Sequence, residues 1–146
     1  MKGLLIICCL TLSLAGYSQN LSLKEKQAIA NLDFSWAEKR IAENYSSPVK
    51  IELDQASFAG DMDAILYADS RGATVAANGI AKVCDNKLGK EALQGKKITK
   101  VLLKNDKTNS PKVVIDKGVM TLLIGFSTSD KYYSDSELRE AIENML

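Results

Sequence analysis

The hydrophobic positions near the start of the chain predict one long helix over residues 22–45. Ser22 and Glu25 have the spacing of a capping box, in which each side chain caps the other residue's backbone amide. An apolar stripe with helical spacing follows, formed by Ala30, Phe34, Ala37, Ile41 and Tyr45. A second, offset group consists of Ile29, Leu32 and Trp36. Because a surface helix needs one stripe, we expect this helix to contact two elements of the fold, or one element and a partner.

The spacing of apolar residues changes after Pro48, where the predicted helix ends because the residue before a proline avoids helical backbone angles. Alternation of apolar and charged side chains predicts a strand over residues 49–54. Helical spacing then predicts a helix capped by Asp61, a buried helix over residues 73–84 and a short helix over residues 88–93.

Three more strands are predicted over residues 98–104, 112–116 and 119–127. Turn-forming residues at 105–111 and 116–118 separate them, so we expect a three-stranded antiparallel meander. Both faces of the last strand are apolar, which is typical of a central strand. We therefore expect helices on both faces of the sheet, or a second subunit on one face.

Helices on both faces would place the second apolar group of the first helix, including Trp36, inside the fold.

A capping-box spacing between Ser134 and Glu137 predicts a terminal amphipathic helix. Together these patterns predict a single α+β domain over residues 19–146. Its antiparallel or mixed sheet has about four strands, one N-terminal strand plus the meander, packed with about four helices.

The first eighteen residues resemble a cleaved signal peptide in their order of charge, apolar run and small residues. Lys2 precedes an apolar run over residues 4–14, and Gly16 and Ser18 follow as small residues before a cleavage point. The run is too short for a stable membrane anchor, which needs about 20 apolar residues. We expect a periplasmic or secreted protein whose mature form starts at Gln19.

Removing that segment changes the charge and the cysteine count. Lys2 is the one charged residue it carries, so the 19 basic and 18 acidic residues of the chain become equal in number. A neutral chain does not attract nucleic acid or an anionic membrane, so we expect neither partner. Cys84 remains as the one mature cysteine, which excludes an internal disulfide and predicts a buried, inert thiol.

The chain contains no histidine, which limits the chemistry it can perform. Ser-His-Asp and Cys-His catalysis are excluded, as are zinc sites that need imidazole. Carboxylate, lysine and tyrosine chemistry remain available, but those residue types also occur on ordinary surfaces. We assign no catalytic residue, no cofactor and no metal ligand from the sequence.

Two groups of residues are the candidates for a site. An interaction surface is predicted from Trp36, Tyr132 and Tyr133, because exposed aromatic side chains supply large contact areas. Packing of one of the tyrosines against the sheet is the competing interpretation. A weaker ligand site comprises four residues of one helical region, which are Asp61, Asp63, Tyr67 and Asp69. Their spacing does not match a calcium loop, and Asp61 is better placed as a helix cap.

By elimination, the sequence favours a non-enzymatic binding or interaction protein of the bacterial envelope or extracellular space. Its partner is expected to be a protein, and a second copy of the chain is one candidate. The competing hypothesis is a small ligand-binding domain or enzyme that uses carboxylate and tyrosine chemistry. A deep pocket lined by ionisable groups would favour that second hypothesis.

Overall fold

The computed structural model describes residues 20–146, so the predicted signal peptide lies outside the described residues. The elements are, in chain order, α1 (Leu23–Ala30), α2 (Ser35–Tyr45), β1 (Lys50–Leu53), α3 (Gln55–Phe58), α4 (Met62–Tyr67), a π-helical segment (Ala68–Ala73), α5 (Thr74–Cys84), α6 (Lys87–Gly95), β2 (Lys100–Asn105), β3 (Lys112–Asp116), β4 (Val119–Ile124) and α7 (Asp135–Glu143). They build one α+β domain around one hydrophobic core, which confirms the predicted fold class.

The four strands form a mixed sheet in the order β1-β2-β4-β3. β1 and β4 pair with β2 in parallel, and β3 pairs with β4 in antiparallel fashion. The predicted meander is therefore wrong, although β4 is an interior strand as expected. Lys117 and Gly118 turn β3 into β4 with φ angles of 47° and 78°. A two-residue turn of this kind joins neighbouring antiparallel strands, and it leaves the other side of β4 free to pair with β2.

One face of the sheet builds the core. Residues of all four strands that face the helices are buried or nearly so: Ile51, Val101, Leu103, Val113, Met120, Leu122 and Ile124. α5 lies at the centre of the helical layer and packs against α2, α6 and α7. Each large apolar side chain buried in this way contributes about 1.5–3 kcal/mol to folding. None of the helices in residues 20–146 is long and apolar enough to cross a bilayer.

The other face of the sheet is partly open to solvent in the described residues. Leu102, Val119 and Leu123 lie on it and are half-buried, which corrects the expectation of helices on both faces, whereas a second subunit on this face stays a prediction. Lys100 and Lys104 lie beside them and form ion pairs. The Nζ atom of Lys100 lies 2.8 Å from a carboxylate oxygen of Glu52 in β1, and that of Lys104 lies 3.6 Å from Asp54, which follows β1. This face therefore mixes apolar side chains with ion pairs.

The predicted first helix is two helices, because the chain leaves the helical path between Ala30 and Ser35. Asn31 ends α1, and the Asp33 carboxylate accepts a 2.9 Å hydrogen bond from the Ser35 amide, which starts α2 with a local turn. The main stripe is buried from Ala37 onward. The expectation that Trp36 is internal is wrong, since its side chain is 55% exposed.

Candidate functional site at the carboxyl ends of the parallel strands

The three parallel strands end side by side at one edge of the sheet. β1 ends at Leu53, β2 at Asn105 and β4 at Ile124. In open sheets with parallel strands, the crevice outside the carboxyl ends is the usual place for a ligand. The chain returns to this edge twice more, through the start of α4 and through the π-helical segment.

Asp61 joins several elements at this edge. Its Oδ1 atom accepts a 3.1 Å hydrogen bond from the Ala64 amide, which caps α4 as the sequence predicted. Its Oδ2 atom accepts hydrogen bonds of 2.9 Å from the Ser127 hydroxyl and 3.2 Å from the Asn105 amide group. The Lys107 ammonium lies 3.1 Å from the same oxygen. The carboxylate therefore ties α4 to the ends of β2 and β4.

The surroundings of Asp61 keep it ionised. Burial raises the pKa of its carboxyl, but hydrogen bonds from Ala64, Ser127, Asn105 and Lys107 outweigh burial and lower the pKa below its ordinary value. A general base needs a pKa close to the working pH and an oxygen free to take a proton. Asp61 meets neither requirement, so its geometry fits a structural role that links α4 to the ends of β2 and β4.

Arg71 lies on the π-helical segment next to this network. Such segments are rare and occur often at functional sites. The following residue, Gly72, faces the core so closely that a Cβ atom there would lie 2.6 Å from Phe126 and 2.9 Å from Leu103. The segment therefore passes close over the sheet, and Nη1 of Arg71 donates a 2.6 Å hydrogen bond to the Phe126 carbonyl.

Two tyrosine rings face the Arg71 guanidinium. Its central carbon lies 3.9 Å from the centre of the Tyr67 ring and 4.5 Å from the centre of the Tyr132 ring. Contacts of this type contribute about 0.5–2 kcal/mol each, more when they are shielded from water. We call these three residues the Tyr–Arg–Tyr cluster. The Tyr67 ring is 41% exposed, so the cluster forms part of the surface.

The loop after β4 brings Tyr132 to the cluster. The Gly125 amide donates a 2.7 Å hydrogen bond to the Lys131 carbonyl, and the Thr128 amide donates back to the Gly125 carbonyl at 3.1 Å. A Cβ atom on residue 125 would lie 2.7 Å from the Cβ atom of Lys131, so the closed loop requires glycine there. This closure places the next residue, Tyr132, over Arg71.

The structure distributes the candidate residues over different environments. Asp61 is buried in its hydrogen-bond network, and Tyr67 belongs to the Tyr–Arg–Tyr cluster. Asp63 and Asp69 are exposed and belong neither to that network nor to the cluster. Tyr132 belongs to the cluster. Tyr133 is half-buried against the core, where burial raises the pKa of its hydroxyl.

Trp36 lies apart from the cluster on the outer side of α2. The guanidinium carbon of Arg40 lies 5.8 Å from its ring centre, and the Nε atom of Arg40 donates a 2.8 Å hydrogen bond to Asn78 of α5. Trp36 is thus a second exposed aromatic group beside a fixed arginine.

Sequence reasoning missed Arg71 as a member of the site. The signal present in the sequence is its spacing of four residues from Tyr67, which brings two side chains together on a helix. Nothing local connects either of them with Tyr132, which lies 61 positions after Arg71 in the chain. That contact depends on the tertiary fold.

Surface cavities lie away from the cluster, and a small one of about 170 Å³ is lined by Trp36 and Arg40. One of about 350 Å³ is lined by Tyr45, Pro48 and Ile98 near the start of β2, and the Tyr45 hydroxyl there accepts a 2.9 Å hydrogen bond from the Ile98 amide. Another of about 520 Å³ is lined by Leu123 and the loop that contains Asp106. Hydrogen bonds from Asn109 and Thr108 hold the pKa of Asp106 well below its usual range.

No set of three or more His, Cys, Asp or Glu side chains in residues 20–146 is arranged to hold a metal ion. Comparison with protein-family models, curated proteins and solved structures finds no match to this chain.

Proposed function

We propose that this chain is an exported, non-enzymatic binding protein of the bacterial envelope or extracellular space, and that it contacts a protein partner through the Tyr–Arg–Tyr cluster. The observation that carries the proposal is the fixed Arg71 guanidinium between Tyr67 and Tyr132. Tyrosine and arginine are among the residue types that contribute most binding energy at protein interfaces. Because these side chains are already held in place, little conformational entropy is lost when a partner binds.

The surroundings of the cluster support a protein partner. Leu66 precedes Tyr67 on α4 and is 63% exposed, so α4 presents a second large apolar side chain to solvent next to Tyr67 in the sequence. Asp61, a buried carboxylate at the same edge of the sheet, is engaged at both oxygens, which favours binding over acid–base chemistry. Export is supported by the pattern of residues 1–18, since the charge, apolar run and small residues occur in the order of a signal peptide.

The proposal is tested by quantitative affinity capture from the native envelope fraction. Three tagged forms are compared: the wild-type chain, a Tyr67→Ala/Tyr132→Ala double variant, and Leu88→Ala as a matched control. Leu88 is 73% exposed on α6, so its loss also removes an exposed apolar side chain, but one outside the cluster. We expect at least one protein to be recovered with the wild type and the control and to be depleted about tenfold or more with the double variant.

Recovery of the same proteins in the same amounts with all three forms would contradict the proposed surface. Thermal melts of each form establish that a loss of capture is not a loss of folding. Export is checked on the same tagged full-length chain, which should leave the cytoplasm and start at Gln19 or a residue close to it. Retention of Met1 on the correctly localised protein would contradict export.

A further inference from the structure

Arg71 uses one side of its guanidinium group and leaves the other free. Nη1 donates to the Phe126 carbonyl, whereas no oxygen of residues 20–146 accepts a hydrogen bond from Nε or Nη2. No carboxylate of these residues lies within 4.0 Å of the Arg71 side chain either. Within the part of the chain that the structure describes, Arg71 is thus a fixed cation without an anionic partner.

Arg71 is half-buried, and its two free nitrogens are not fully enclosed by the described residues. Every buried side-chain nitrogen or oxygen in residues 20–146 has a hydrogen-bond partner, so the unpartnered nitrogens of Arg71 are not fully buried. Nε and Nη2 carry parallel N–H groups on one edge of the guanidinium plane. Their spacing matches the two oxygens of a carboxylate, which makes two parallel hydrogen bonds to such an edge.

The other two arginines of the chain provide a comparison. Nε of Arg40 donates to the Asn78 side chain at 2.8 Å, and Nε of Arg139 donates to Glu143 at 2.9 Å. Both use this nitrogen within the fold. Arg71 alone among the three has a free Nε–H in the described structure, and it is also the one held between two aromatic rings.

We propose that the free edge of Arg71 binds the side-chain carboxylate of an Asp or Glu residue on the protein partner. This inference rests on the proposed function and names the chemical group that the cluster recognises. Pockets that capture the carboxylate at the end of a chain use concave arrays of backbone N–H groups, whereas a single guanidinium edge on an aromatic surface suits a side chain.

The direct test observes the three arginine Nε–H signals by NMR in the 15N-labelled mature chain, with Arg71 assigned by the Arg71→Lys variant. The probe is the α-amide of N-acetylglutamic acid, added at constant ionic strength and mildly acidic pH. We expect a downfield shift of the Arg71 signal that exceeds any shift of the Arg40 and Arg139 signals. An unchanged Arg71 signal, or an equal shift produced by sodium chloride, would overturn the inference.

N-acetylglycine serves as the second probe because its carboxylate represents the end of a chain. A response to N-acetylglycine as large as that to the glutamate derivative would overturn the assignment to a side chain.

The variant Arg71→Lys tests the same contact in the captured complex. Lysine keeps the positive charge but lacks the two parallel N–H groups, so we expect about thirtyfold weaker binding, which corresponds to about 2 kcal/mol. The control is Lys131→Ala, which removes a neighbouring charge but keeps the Cβ atom that packs against Gly125. Because Lys131 forms no ion pair within residues 20–146, loss of its charge should weaken binding less than about fivefold.

These variants separate the two proposals. Capture that is lost in the Tyr67→Ala/Tyr132→Ala variant but kept in Arg71→Lys would overturn the carboxylate contact and leave the proposed function standing. Equal losses of binding in Arg71→Lys and Lys131→Ala would mean that the partner responds to positive charge in general. This result would also overturn the carboxylate contact. Capture that is kept in every variant would overturn the proposed function itself.

Discussion

Two charged side chains at the same edge of the sheet show how environment decides the role of a residue. Asp61 is buried and each of its oxygens accepts hydrogen bonds from the fold. Arg71 is more accessible and gives the fold one hydrogen bond, to the Phe126 carbonyl. A fully satisfied charge holds elements together, whereas a partly satisfied and accessible charge can bind something else. We therefore expect Asp61 to affect stability and Arg71 to affect recognition.

Replacement of Asp61 by alanine should destabilise the protein by about 3 kcal/mol, because it removes a helix cap and leaves Asn105 and Ser127 without their acceptor. The exposed Asp63 provides the control on the same helix, and Asp63→Asn should change stability by about 0.5 kcal/mol. Urea unfolding at neutral pH measures both. A similar loss in the two variants would contradict the structural role of Asp61.

The pH dependence of this difference follows from the lowered pKa of Asp61. The folded state favours the ionised carboxylate. The contribution of Asp61 to the free energy of unfolding is therefore fully present above the ordinary aspartate pKa of about 4. That contribution decreases as the pH falls through the lowered pKa of the folded state, because the carboxyl then protonates in both states. We expect the stability gap between wild type and Asp61→Ala to be constant near neutral pH and to narrow below about pH 4.

Trp36 and Ile41 make a second residue-scale contrast on one helix. Because Trp36 is 55% exposed, Trp36→Ala should cost about 1 kcal/mol or less, mainly through its contact with Arg40. Ile41 is fully buried, and Ile41→Ala should cost about 3 kcal/mol through the cavity that it leaves. Denaturant melts of the two variants check this. A loss of 3 kcal/mol or more for Trp36→Ala would mean that the side chain is internal after all.

At the scale of elements, local signals predicted the helices and strands well. Both capping boxes form with both of their hydrogen bonds, at Ser22–Glu25 and at Ser134–Glu137. The predicted strand over residues 112–116 coincides with β3. These features depend on side chains a few positions apart, so the sequence contains the information directly.

The errors concern features without a local signal. The break at residues 31–34 contains neither glycine nor proline, and it rests on Asn31 and the Asp33 turn. The parallel pairing of β2 with β4 was not predicted. Strand order depends on which long-range contacts bury the sheet, and a hairpin pattern in the sequence does not specify those contacts. The Tyr–Arg–Tyr cluster was missed for the same reason, since Tyr132 arrives from a distant loop.

The π-helical segment gives a prediction at this scale. Gly72→Ala would place a Cβ atom 2.6 Å from Phe126, and that ring is fully buried and cannot move away easily. We expect a loss of about 1–3 kcal/mol from overpacking, larger than the gain that alanine brings to a helix. Gly95→Ala is the matched control, because its Cβ atom would meet nothing within 4 Å. Thermal unfolding that is equally changed by both substitutions would contradict the tight approach of the segment to the sheet.

At the scale of the whole molecule, the parts differ in how firmly they are held. β2 and β4 are the interior strands, and their core-facing side chains are fully buried. α1 lies at the periphery and packs against α4. Elements with few buried contacts open more readily than the core, through local rather than global unfolding. We therefore expect the slowest amide hydrogen exchange in β2 and β4 and faster exchange in α1.

Glu25 links α1 to the rest of the molecule by a hydrogen bond, in addition to the packing of Ala28 and Ile29 against the core. Its Oε2 atom accepts a 2.6 Å hydrogen bond from the Ser22 amide within the capping box, and its Oε1 atom accepts a 2.7 Å hydrogen bond from the Gly60 amide before α4. Glu137 of the second capping box accepts a 2.7 Å hydrogen bond from the Ser134 amide, but none from another element of residues 20–146. Both glutamates therefore cap a helix, but within the described residues Glu25 also hydrogen-bonds to a second element and Glu137 does not.

Hydrogen exchange measured on Glu25→Ala and Glu137→Ala separates these two roles. Glu25→Ala should speed exchange throughout α1 by about tenfold, because a charge-assisted hydrogen bond between elements is lost together with the cap. Glu137→Ala should speed exchange in the first turn of α7 and leave the rest of that helix protected, since Leu138 and Ile142 keep it packed on the core. Exchange in β2 should be much less affected in both variants. If α1 in Glu25→Ala stayed as protected as in the wild type, the Gly60 contact would not be what holds this helix in place.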